Sequence, residues 1–251
     1  MNIHLITVPY HMGRKDTAVG LGPTRYLEGG LGSLGTLVPV DVGFSARIEQ
    51  VNSALTGAVA AAVGIGAFPL VVAGNCNSCL GTLPALRLSG LGIVWFDAHP
   101  DFHNRETSIS GNLDGMALGL ATAQFVAESR TMLLGIRDVE AGERERVAKS
   151  RMQVIPSAEW SDGFVAKNLP QAERVYLHID LDVIDAAVNP GVNFRGAGGL
   201  SMPQLESALR MIRGRYSIAA AALTNYNPER DVEWKSRDLG LGLGRLIATI
   251  L

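Results

Sequence analysis

The stretch IVWFDAHPDFH, residues 93–103, joins an apolar run to a set of ionisable side chains. The run IVWF is almost free of polar groups, which is typical of a strand that is covered on both faces in a parallel sheet. The ionisable residues that follow alternate along the chain: Asp97, His99, Asp101 and His103. Because side chains i and i+2 of an extended segment point the same way, we predict that Asp97, His99 and Asp101 converge beyond the strand.

Apolar runs alternate with helical stretches along the whole chain. Short runs rich in β-branched residues predict strands at residues 3–8, 36–40, 69–73, 92–96, 132–135, 153–155, 174–179 and 218–223. The stretches between them predict helices at residues 23–28, 46–63, 78–88, 113–129, 141–148, 160–167, 203–214 and 235–251, with Ser45 and Ser201 as two N-caps. This order implies a doubly wound, three-layer α/β fold with a mostly parallel sheet. Since the chain shows no low-complexity linker and no repeat, we predict a single domain over residues 1–251.

The composition argues against several classes of protein. The 251 residues carry a formal net charge of −2 with scattered basic residues, so we expect no nucleic-acid partner and no membrane-binding surface. The longest apolar stretch, residues 55–74, is interrupted by glycines and Pro69, which favours a buried helix and strand over a membrane span. Cys76 and Cys79 are too few for a disulfide framework, and the N-terminus does not resemble a signal peptide. We therefore expect a cytoplasmic protein.

A second apolar run, VYLHI, also leads directly into acids. In doubly wound sheets, sites form at the carboxyl ends of strands. Those ends should therefore gather five potential ligands: Asp97, His99, Asp101, Asp180 and Asp182. Four carboxylates in one cleft repel one another unless divalent cations neutralise them, and this donor set suits Mn²⁺, Mg²⁺ or Fe²⁺. Four exceed what one ion needs, which favours two ions with bridging carboxylates; a solvated loop or a helix cap is the alternative for either Asp-x-Asp pair.

Several segments, in order along the chain, resemble motifs of the ureohydrolase superfamily, which includes arginases and agmatinases. WFDAHPD and HIDLDVID resemble its two aspartate-rich metal motifs, VVAGNCNSCLG its third metal motif, and SGNLDGM a segment that reads Ser-Gly-Asn-x-His-Gly. The resemblance implies an arginase-like three-layer fold, a dinuclear manganese centre, and hydrolysis of a guanidine or amidine C–N bond by a metal-bridging hydroxide. It also implies a homo-oligomer, whether dimer, trimer or hexamer.

Carried over residue by residue, the resemblance implies these ligands: Asp97 and Asp180 for both ions, His99 and Asp182 for one ion, and Asp101 for the other. The third-motif His of the family falls on Cys76, so the outer ion should bind more weakly or be absent, because Mn²⁺ prefers oxygen and nitrogen donors. Three other hypotheses stay open: Cys76 ligates as a thiolate, lines the pocket without ligating, or is a buried inert cysteine. Cys76 and Cys79 could also form a redox pair.

The catalytic residues implied by the resemblance are His99, Asp101 and Asp114. Asp114 stands where the family carries a His that shuttles protons. An aspartate can still relay a proton, but its ordinary pKa makes it a poor acid at neutral pH.

Substrate contacts follow from the same resemblance. Ser110 and Asn112 match positions that hold an amino-acid head group, and His103 replaces an Asn with the same role. Glu140 and Glu143 stand where acids bind an α-amino group; alternatively, they only favour the start of a helix. We therefore expect an amino-acid-like small-molecule substrate.

The guanidinium end of the pocket departs most from the family. Asn225 replaces a Glu that pairs with a guanidinium, and an amide supplies geometry but no charge. Phe194 places a bulky ring near the pocket, and Arg195 adds a cation there or is a surface loop residue.

These departures predict a manganese-dependent hydrolase that acts on a modified guanidino or amidino compound of N-hydroxyguanidino, ureido or formimino type. The alternative is a catalytically degenerate arginase-fold protein that binds a small ligand or a partner without turnover. A redox sensor built on Cys76 and Cys79 is a third hypothesis.

Overall fold

The computed structural model describes residues 2–86 and 89–251. Its strands in chain order are β1 (Ile3–Val8), β2 (Tyr10–His11), β3 (Arg14–Lys15), β4 (Thr36–Pro39), β5 (Phe68–Ala73), β6 (Leu91–Phe96), β7 (Thr131–Ile136), β8 (Gln153–Pro156), β9 (Arg174–Asp180) and β10 (Ser217–Thr224). Strands β2 and β3 form a small antiparallel hairpin, and the others form one parallel sheet in the order β4-β1-β5-β10-β9-β6-β7-β8. The predicted parallel sheet is confirmed.

Helices cover both faces of this sheet. They are α1 (Gly22–Glu28), α2 (Ile48–Gly64), α3 (Cys79–Leu86), α4 (Ala117–Gln124), α5 (Ala141–Lys149), α6 (Asp162–Lys167), α7 (Met202–Arg215) and α8 (Lys235–Ile250). One apolar core lies between the sheet and α2, α3, α4 and α5, and a second lies between the sheet and α1, α6, α7 and α8. The three layers agree with the predicted architecture. Each described helix falls short of the length and apolar character that a membrane crossing needs.

The central strands are buried because their side chains are apolar on both faces. Every residue of β5 and of β6 is buried, whereas the edge strand β4 leaves most of its residues exposed. A strand between two helical layers has no face toward water, so an alternating polar pattern would leave polar groups in a core. The continuous apolar runs in the sequence indicate this arrangement correctly.

Some predicted helix boundaries are wrong. Helix α2 begins at Ile48 rather than beside Ser45, because the N-cap is Arg47, whose backbone N–H donates to Gln50 Oε1 at 2.9 Å. Ser201 does cap α7, since its Oγ accepts a hydrogen bond from the backbone of Gln204.

Two other predicted helices differ in extent. The one at 113–129 is reduced to α4, which follows a 3-10 turn and ends where the backbone becomes extended before a second 3-10 turn. The one at 78–88 begins at Cys79, and residues 87 and 88 lie outside the described residues. Neither Gly nor Pro marks the end of α4, so the sequence gives no stop signal there.

The order of the sheet brings four strand ends together. Strands β5, β10, β9 and β6 are adjacent and parallel, so their carboxyl ends lie at one edge of the sheet. The register pairs Trp95 of β6 with His178 of β9, and Thr224 of β10 with Asp180 of β9. This register fixes which residues beyond the strands become neighbours.

Candidate metal centre and substrate cavity

Each of the four central strands delivers a polar side chain to the same place. Asp97 follows β6, Asp180 ends β9, Asn225 follows β10, and Cys76 opens a 3-10 turn after β5. Gly74 precedes that turn, and a Cβ at Gly74 would lie 2.2 Å from the backbone oxygen of Tyr10. Only a residue without a Cβ therefore allows the chain after β5 to pack this closely against the hairpin.

The acidic residues converge through turns rather than through the pleat of a strand. Beyond β6 the backbone bends, the His99 N–H donates to Asp97 Oδ1 at 2.7 Å, and Asp101 adopts a left-handed φ of 48°. Beyond β9 the chain enters a 3-10 turn, where the Asp182 N–H donates to Asp180 Oδ1 at 2.9 Å. The predicted gathering of these side chains is present, but the extended geometry on which it was based is wrong.

Two groups of potential metal ligands share Asp97. In one group, ligand atoms of Cys76, Asp97 and Asp101 all lie within 4.8 Å of one another, and in the other those of Asp97, His99 and Asp182 do. Asp180 Oδ2 adds a further oxygen 3.0 Å from the Cys76 sulfur. We call the first group, with Asp180, the thiol cluster and the second the imidazole cluster. Two neighbouring clusters with a common carboxylate are the arrangement that a dinuclear centre requires.

Burial and mutual repulsion disfavour the ionised form of the acids in the thiol cluster. Burial raises the pKa of Asp97 to about 7, and the negative charge of Asp182 adds to this rise. Burial also raises the pKa of Asp101 and of Asp180 well above the ordinary value, and the neighbouring aspartates raise both further. A divalent cation among them would supply the missing positive charge.

His99 supplies the only imidazole of the imidazole cluster. Its Nδ1 lies 3.0 Å from Asp182 Oδ2 and 3.4 Å from Asp97 Oδ1. Burial opposes a charge on this ring, but hydrogen bonds to Asp182 and Asp97 outweigh burial and raise its pKa to about 12. A proton between one imidazole nitrogen and two carboxylates occupies the place that a metal ion takes in such a donor set.

A cavity of about 480 Å³ opens above the two clusters. Asp97, His99, Asp101, Asp180 and Asp182 line the part that we call its floor, whereas Cys76 is buried and does not line it. The wall residues include the predicted substrate contacts: His103, Ser110, Asn112, Glu140, Phe194 and Asn225. This volume suits a small molecule of amino-acid size or somewhat larger.

Comparisons with known proteins agree with this geometry. The model of the family described as "Arginase family" matches residues 2–247. The chain belongs to the arginase family. An arginase of Bacillus caldovelox is 26% identical over 286 residues, which cover 96% of each chain. The crystal structure of arginase from Bacillus subtilis superposes with a TM-score of 0.87 at 25% identity, covering 99% of this chain and 98% of that one. Proclavaminate amidino hydrolase from Streptomyces clavuligerus shares the fold, with a TM-score of 0.82 at 18% identity and coverage of 99% and 91%.

Asp114 is half-buried at the wall of the cavity, where amide groups hold its carboxylate. Its Oδ1 accepts from the backbone N–H and the side-chain Nδ2 of Asn77, at 3.1 and 2.7 Å, and its Oδ2 accepts from Asn75 Nδ2. These bonds tie the segment around Asp114 to the loop that carries Cys76. Burial raises the pKa of Asp114, contrary to the ordinary value that the sequence alone led us to assume.

The residues predicted to bind the head group of a substrate differ in burial and in contacts. His103 is buried, with Nδ1 3.1 Å from Thr107 Oγ1 and Nε2 3.2 Å from Glu140 Oε2. Glu143 is also buried and accepts the backbone N–H of Phe102 at 3.0 Å, so it supports the metal-motif loop as well as capping α5. Glu140 is exposed at the same wall, where its side chain lies beside His103 and caps α5.

Ser110 and Asn112 lie on the cavity rim and make local turn contacts. Ser110 Oγ accepts the Asn112 N–H at 3.2 Å, and Asn112 Oδ1 accepts the Asp114 N–H at 3.0 Å. Phe194 is 64% exposed and lies edge-on to the His99 ring, with centroids 5.7 Å apart. Arg195 donates to the Ala186 carbonyl on the surface, which favours the surface-loop reading of this residue.

Several residues around the site were not singled out from the sequence. His178 lies within β9 with Nε2 3.3 Å from the Cys76 sulfur, and the Trp95 indole N–H donates to Asp97 Oδ2 at 2.9 Å. His11 and Asn193 line the cavity. A His inside an otherwise apolar strand, two positions before an aspartate, is the one signal that could have identified His178.

Proposed function

We propose that this chain is a manganese-dependent hydrolase that cleaves a linear C–N bond in a modified guanidino or amidino compound. The observation that carries the proposal is the pair of ligand clusters that share Asp97 at the floor of a cavity. The donors fit such ions, because buried carboxylates with raised pKa values need positive charge and the set is rich in oxygen. When bound, the two ions supply Lewis acidity and make a water reactive at neutral pH.

The residues at the floor of the cavity, with Cys76, would hold the two ions. Asp97, which both groups share, would help to hold both ions. His99 and Asp182 would complete the donors to one ion, and Cys76, Asp101 and Asp180 those to the other. Their backbone hydrogen bonds, such as that from the Ala98 N–H to Asp182 Oδ1 at 3.0 Å, hold the carboxylates in orientation before an ion arrives.

Asp114 is the proposed proton relay. Its raised pKa brings it closer to the range in which a carboxyl group exchanges protons at neutral pH. Because its oxygens accept bonds from Asn75 and Asn77, the same residue also orients the loop of the third metal motif.

The substrate is proposed to be less basic than arginine at its reacting end. Asn225 turns its Nδ2 toward Asp180 Oδ2 and toward the Cys76 sulfur at 3.1 Å, where a carboxylate would offer charge to a guanidinium. An N-hydroxyguanidino, ureido or formimino group needs less of that charge. Glu140 and His103 on the wall would meet an α-amino group and a carboxylate, which supports an amino-acid-like head group.

Metal analysis and a product screen test this proposal together. Metal-free protein is loaded with Mn²⁺, dialysed, and analysed for ions per chain; guanidino, N-hydroxyguanidino, ureido and formimino acids are then screened for release of the corresponding urea-type or amide product. We expect bound metal, and faster turnover of a less basic substrate than of arginine. Asp97→Asn is the matched control, because it removes the shared charge and keeps the side chain's size.

Two results would contradict the proposal. Protein that binds no metal at either cluster lacks the proposed centre altogether. Protein that binds metal but releases no product above the Asp97→Asn control would instead be a degenerate member of the family that binds a ligand without turnover.

A further inference from the structure

The sulfur of Cys76 is surrounded by hydrogen-bond donors. The residue is buried, and its Sγ lies 3.1 Å from Asn225 Nδ2, 3.3 Å from His178 Nε2 and 3.5 Å from Thr224 Oγ1. In the protonated thiol, the S–H group itself donates to Asp180 Oδ2 at 3.0 Å. Burial and the nearby aspartates raise the pKa of the Cys76 thiol, so the sulfur is protonated until a cation arrives. A thiol is a weak acceptor, and the N–H groups beside it are better matched to the thiolate that a bound cation would stabilise.

His178 is built to present an N–H to this sulfur. The ring is fully buried and stacks on Trp95, with centroids 3.6 Å apart and planes 6° from parallel. Its Nδ1 lies 3.0 Å from the Tyr176 hydroxyl. When Tyr176 donates to Nδ1, the neutral imidazole carries its hydrogen on Nε2, toward Cys76. Stacking therefore fixes the position of this ring, and a hydrogen bond donated by Tyr176 would set its tautomer.

Asp101 gives a second, independent indication of a ligand at the same place. It is 8% exposed, and its carboxylate accepts no hydrogen bond from the part of the chain that the structure describes. The carboxylate lies in the thiol cluster with Cys76 and Asp97. Asp101 also lines the cavity, so a cation that enters there can take the role of the donor that the protein does not supply.

We propose that the thiol cluster is a thiolate site for a thiophilic divalent ion of the Zn²⁺ class, so that the dinuclear centre holds two different metals. This inference rests on the proposed function. The two clusters share the Asp97 carboxylate, and each adds further carboxylates and one other donor, the Cys76 sulfur in one and the His99 imidazole in the other. Thiolate selects zinc-like ions over Mn²⁺, while carboxylates with one imidazole accept Mn²⁺.

Binding at the thiol cluster releases one proton for each ion bound. The S–H bond of Cys76 breaks, the sulfur keeps the electron pair and ligates the ion, and the proton leaves to solvent. The N–H groups of His178 and Asn225 then donate to the thiolate and orient it. These two are positioning residues, because they act on the ion only through the sulfur.

Competition between metals tests the assignment. Metal-free protein is dialysed against Zn²⁺ and Mn²⁺ together, and both are counted for each chain; we expect one of each. Cys76→Ser should lose the Zn²⁺ and keep the Mn²⁺, and Cys76→His should take Mn²⁺ at both clusters. Cys79→Ser is the matched control, because this thiol is equally buried but faces the Ala117 carbonyl at 3.7 Å, and it should bind as the unaltered protein does.

Cobalt substitution gives a readout that does not depend on activity. Co²⁺ at the thiol cluster should show a near-ultraviolet charge-transfer band from thiolate to metal, absent in Cys76→Ser and present in Cys79→Ser. His178→Phe keeps a ring against Trp95 but removes the N–H. It should move the band to longer wavelength and weaken Zn²⁺ binding by about 10-fold. A merely structural role of His178 would lower stability and leave the band unmoved.

The outcomes separate this inference from the proposed function. Mn²⁺ at both clusters in the presence of Zn²⁺, or a charge-transfer band that persists in Cys76→Ser, would overturn the thiolate assignment while leaving the hydrolase proposal standing. Absence of Mn²⁺ from the imidazole cluster as well would remove the proposed function and this inference together.

Discussion

Asn225 places an uncharged amide at the floor of the cavity. Its backbone lies in the left-handed region, with φ of 62°, and this conformation turns the amide toward Asp180 and Cys76. Asparagine tolerates that conformation better than most residues with a Cβ. The side chain therefore has both the reach and the backbone geometry to select the reacting group of a substrate.

Replacing Asn225 by glutamate should shift the substrate preference toward guanidinium compounds. A carboxylate there can form a charge-assisted hydrogen bond, worth about 1.5–3 kcal/mol, so kcat/KM for arginine should rise about 10-fold or more relative to an N-hydroxyguanidino acid. Steady-state kinetics on both substrates measure the ratio. Asn225→Gln is the control, since it has the same length as glutamate without the charge; equal ratios for the two variants would show that charge at this position does not select the substrate.

Removing the charge of Asp114 should loosen the third-motif loop. In Asp114→Asn, an amide N–H₂ replaces one of the oxygens that accept from Asn75 and Asn77, leaving buried donors without an acceptor. The free energy of unfolding should fall by ~1–3 kcal/mol, as measured by denaturant titration of metal-free protein. Asp138→Asn changes the same atoms at a largely exposed carboxylate on the cavity wall and should leave stability nearly unchanged. Similar losses of stability in both variants would contradict this role of the hydrogen bonds between Asp114 and the two asparagines.

The turns after the strands, rather than the strands themselves, determine how the ligands meet. The apolar runs and the strand-end acids of this sequence are sufficient to predict the sheet and most of the candidate ligands. The 3-10 turn at Asp182 is not predictable in the same way, because no Gly or Pro marks it. Pro100 directly before Asp101 is a turn signal that the prediction of an extended segment left out, which is why that prediction is wrong in geometry.

Other features that were not predicted from the sequence also depend on contacts between elements. The hairpin β2–β3 has only two residues in each strand, too few for a periodic pattern. His178 was read only as part of an apolar strand, because its role depends on the pairing of β9 with β6 and on the loop after β5. Sequence periodicity reports the face on which a residue lies but not the residue across from it.

Substitutions at two glycines can test the packing between the loop after β5 and the hairpin. In Gly74→Ala, the new Cβ would lie 2.2 Å from the backbone oxygen of Tyr10, so the loop must move and carry Cys76 with it. We expect a loss of ~1–3 kcal/mol in the free energy of unfolding and weaker metal binding. Gly57→Ala, on the exposed side of α2 with open space at its Cβ, should instead stabilise the protein by about 1 kcal/mol. Denaturant titrations would decide, and equal effects of the two substitutions would contradict the close approach at Gly74.

For the molecule as a whole, the concentration of buried acids should make the metal-free protein sensitive to pH. Burial raises the pKa of Asp97 from 3.8 to about 7, and the pKa values of Asp101 and Asp180 also rise. A raised pKa means that the folded state binds the proton more tightly than the unfolded state. The stabilisation is complete below pH 3.8 and is lost as the pH rises toward about 7. Asp182, whose pKa is lowered, stays ionised across this window and adds no slope. Burial lowers the pKa of His178 from 6.5 to about 3, which adds a slope of the opposite sign, but the several acids with raised pKa values outweigh this one group.

We therefore expect the free energy of unfolding of metal-free protein to fall between about pH 4 and about pH 7, by up to ~1.4 kcal/mol per pH unit for each group that titrates. Urea titrations at several pH values measure the slope. Asp97→Asn should reduce it by removing one group, and saturation with metal should reverse it by binding the ionised form. A slope of the opposite sign would mean that the acids are ionised and stabilising without metal.

The position of β10 in the sheet also bears on how the protein is made. This strand is the last in the chain, yet it lies between β5 and β9 in the middle of the sheet. Asn225 directly after it contacts Cys76, which is 149 residues earlier. Contacts this distant in the chain form late, since a long loop must close first. A nascent chain that ends before β10 and Asn225 lacks both the central strand and one wall of the centre. Metal binding would therefore mark the completion of folding rather than start it.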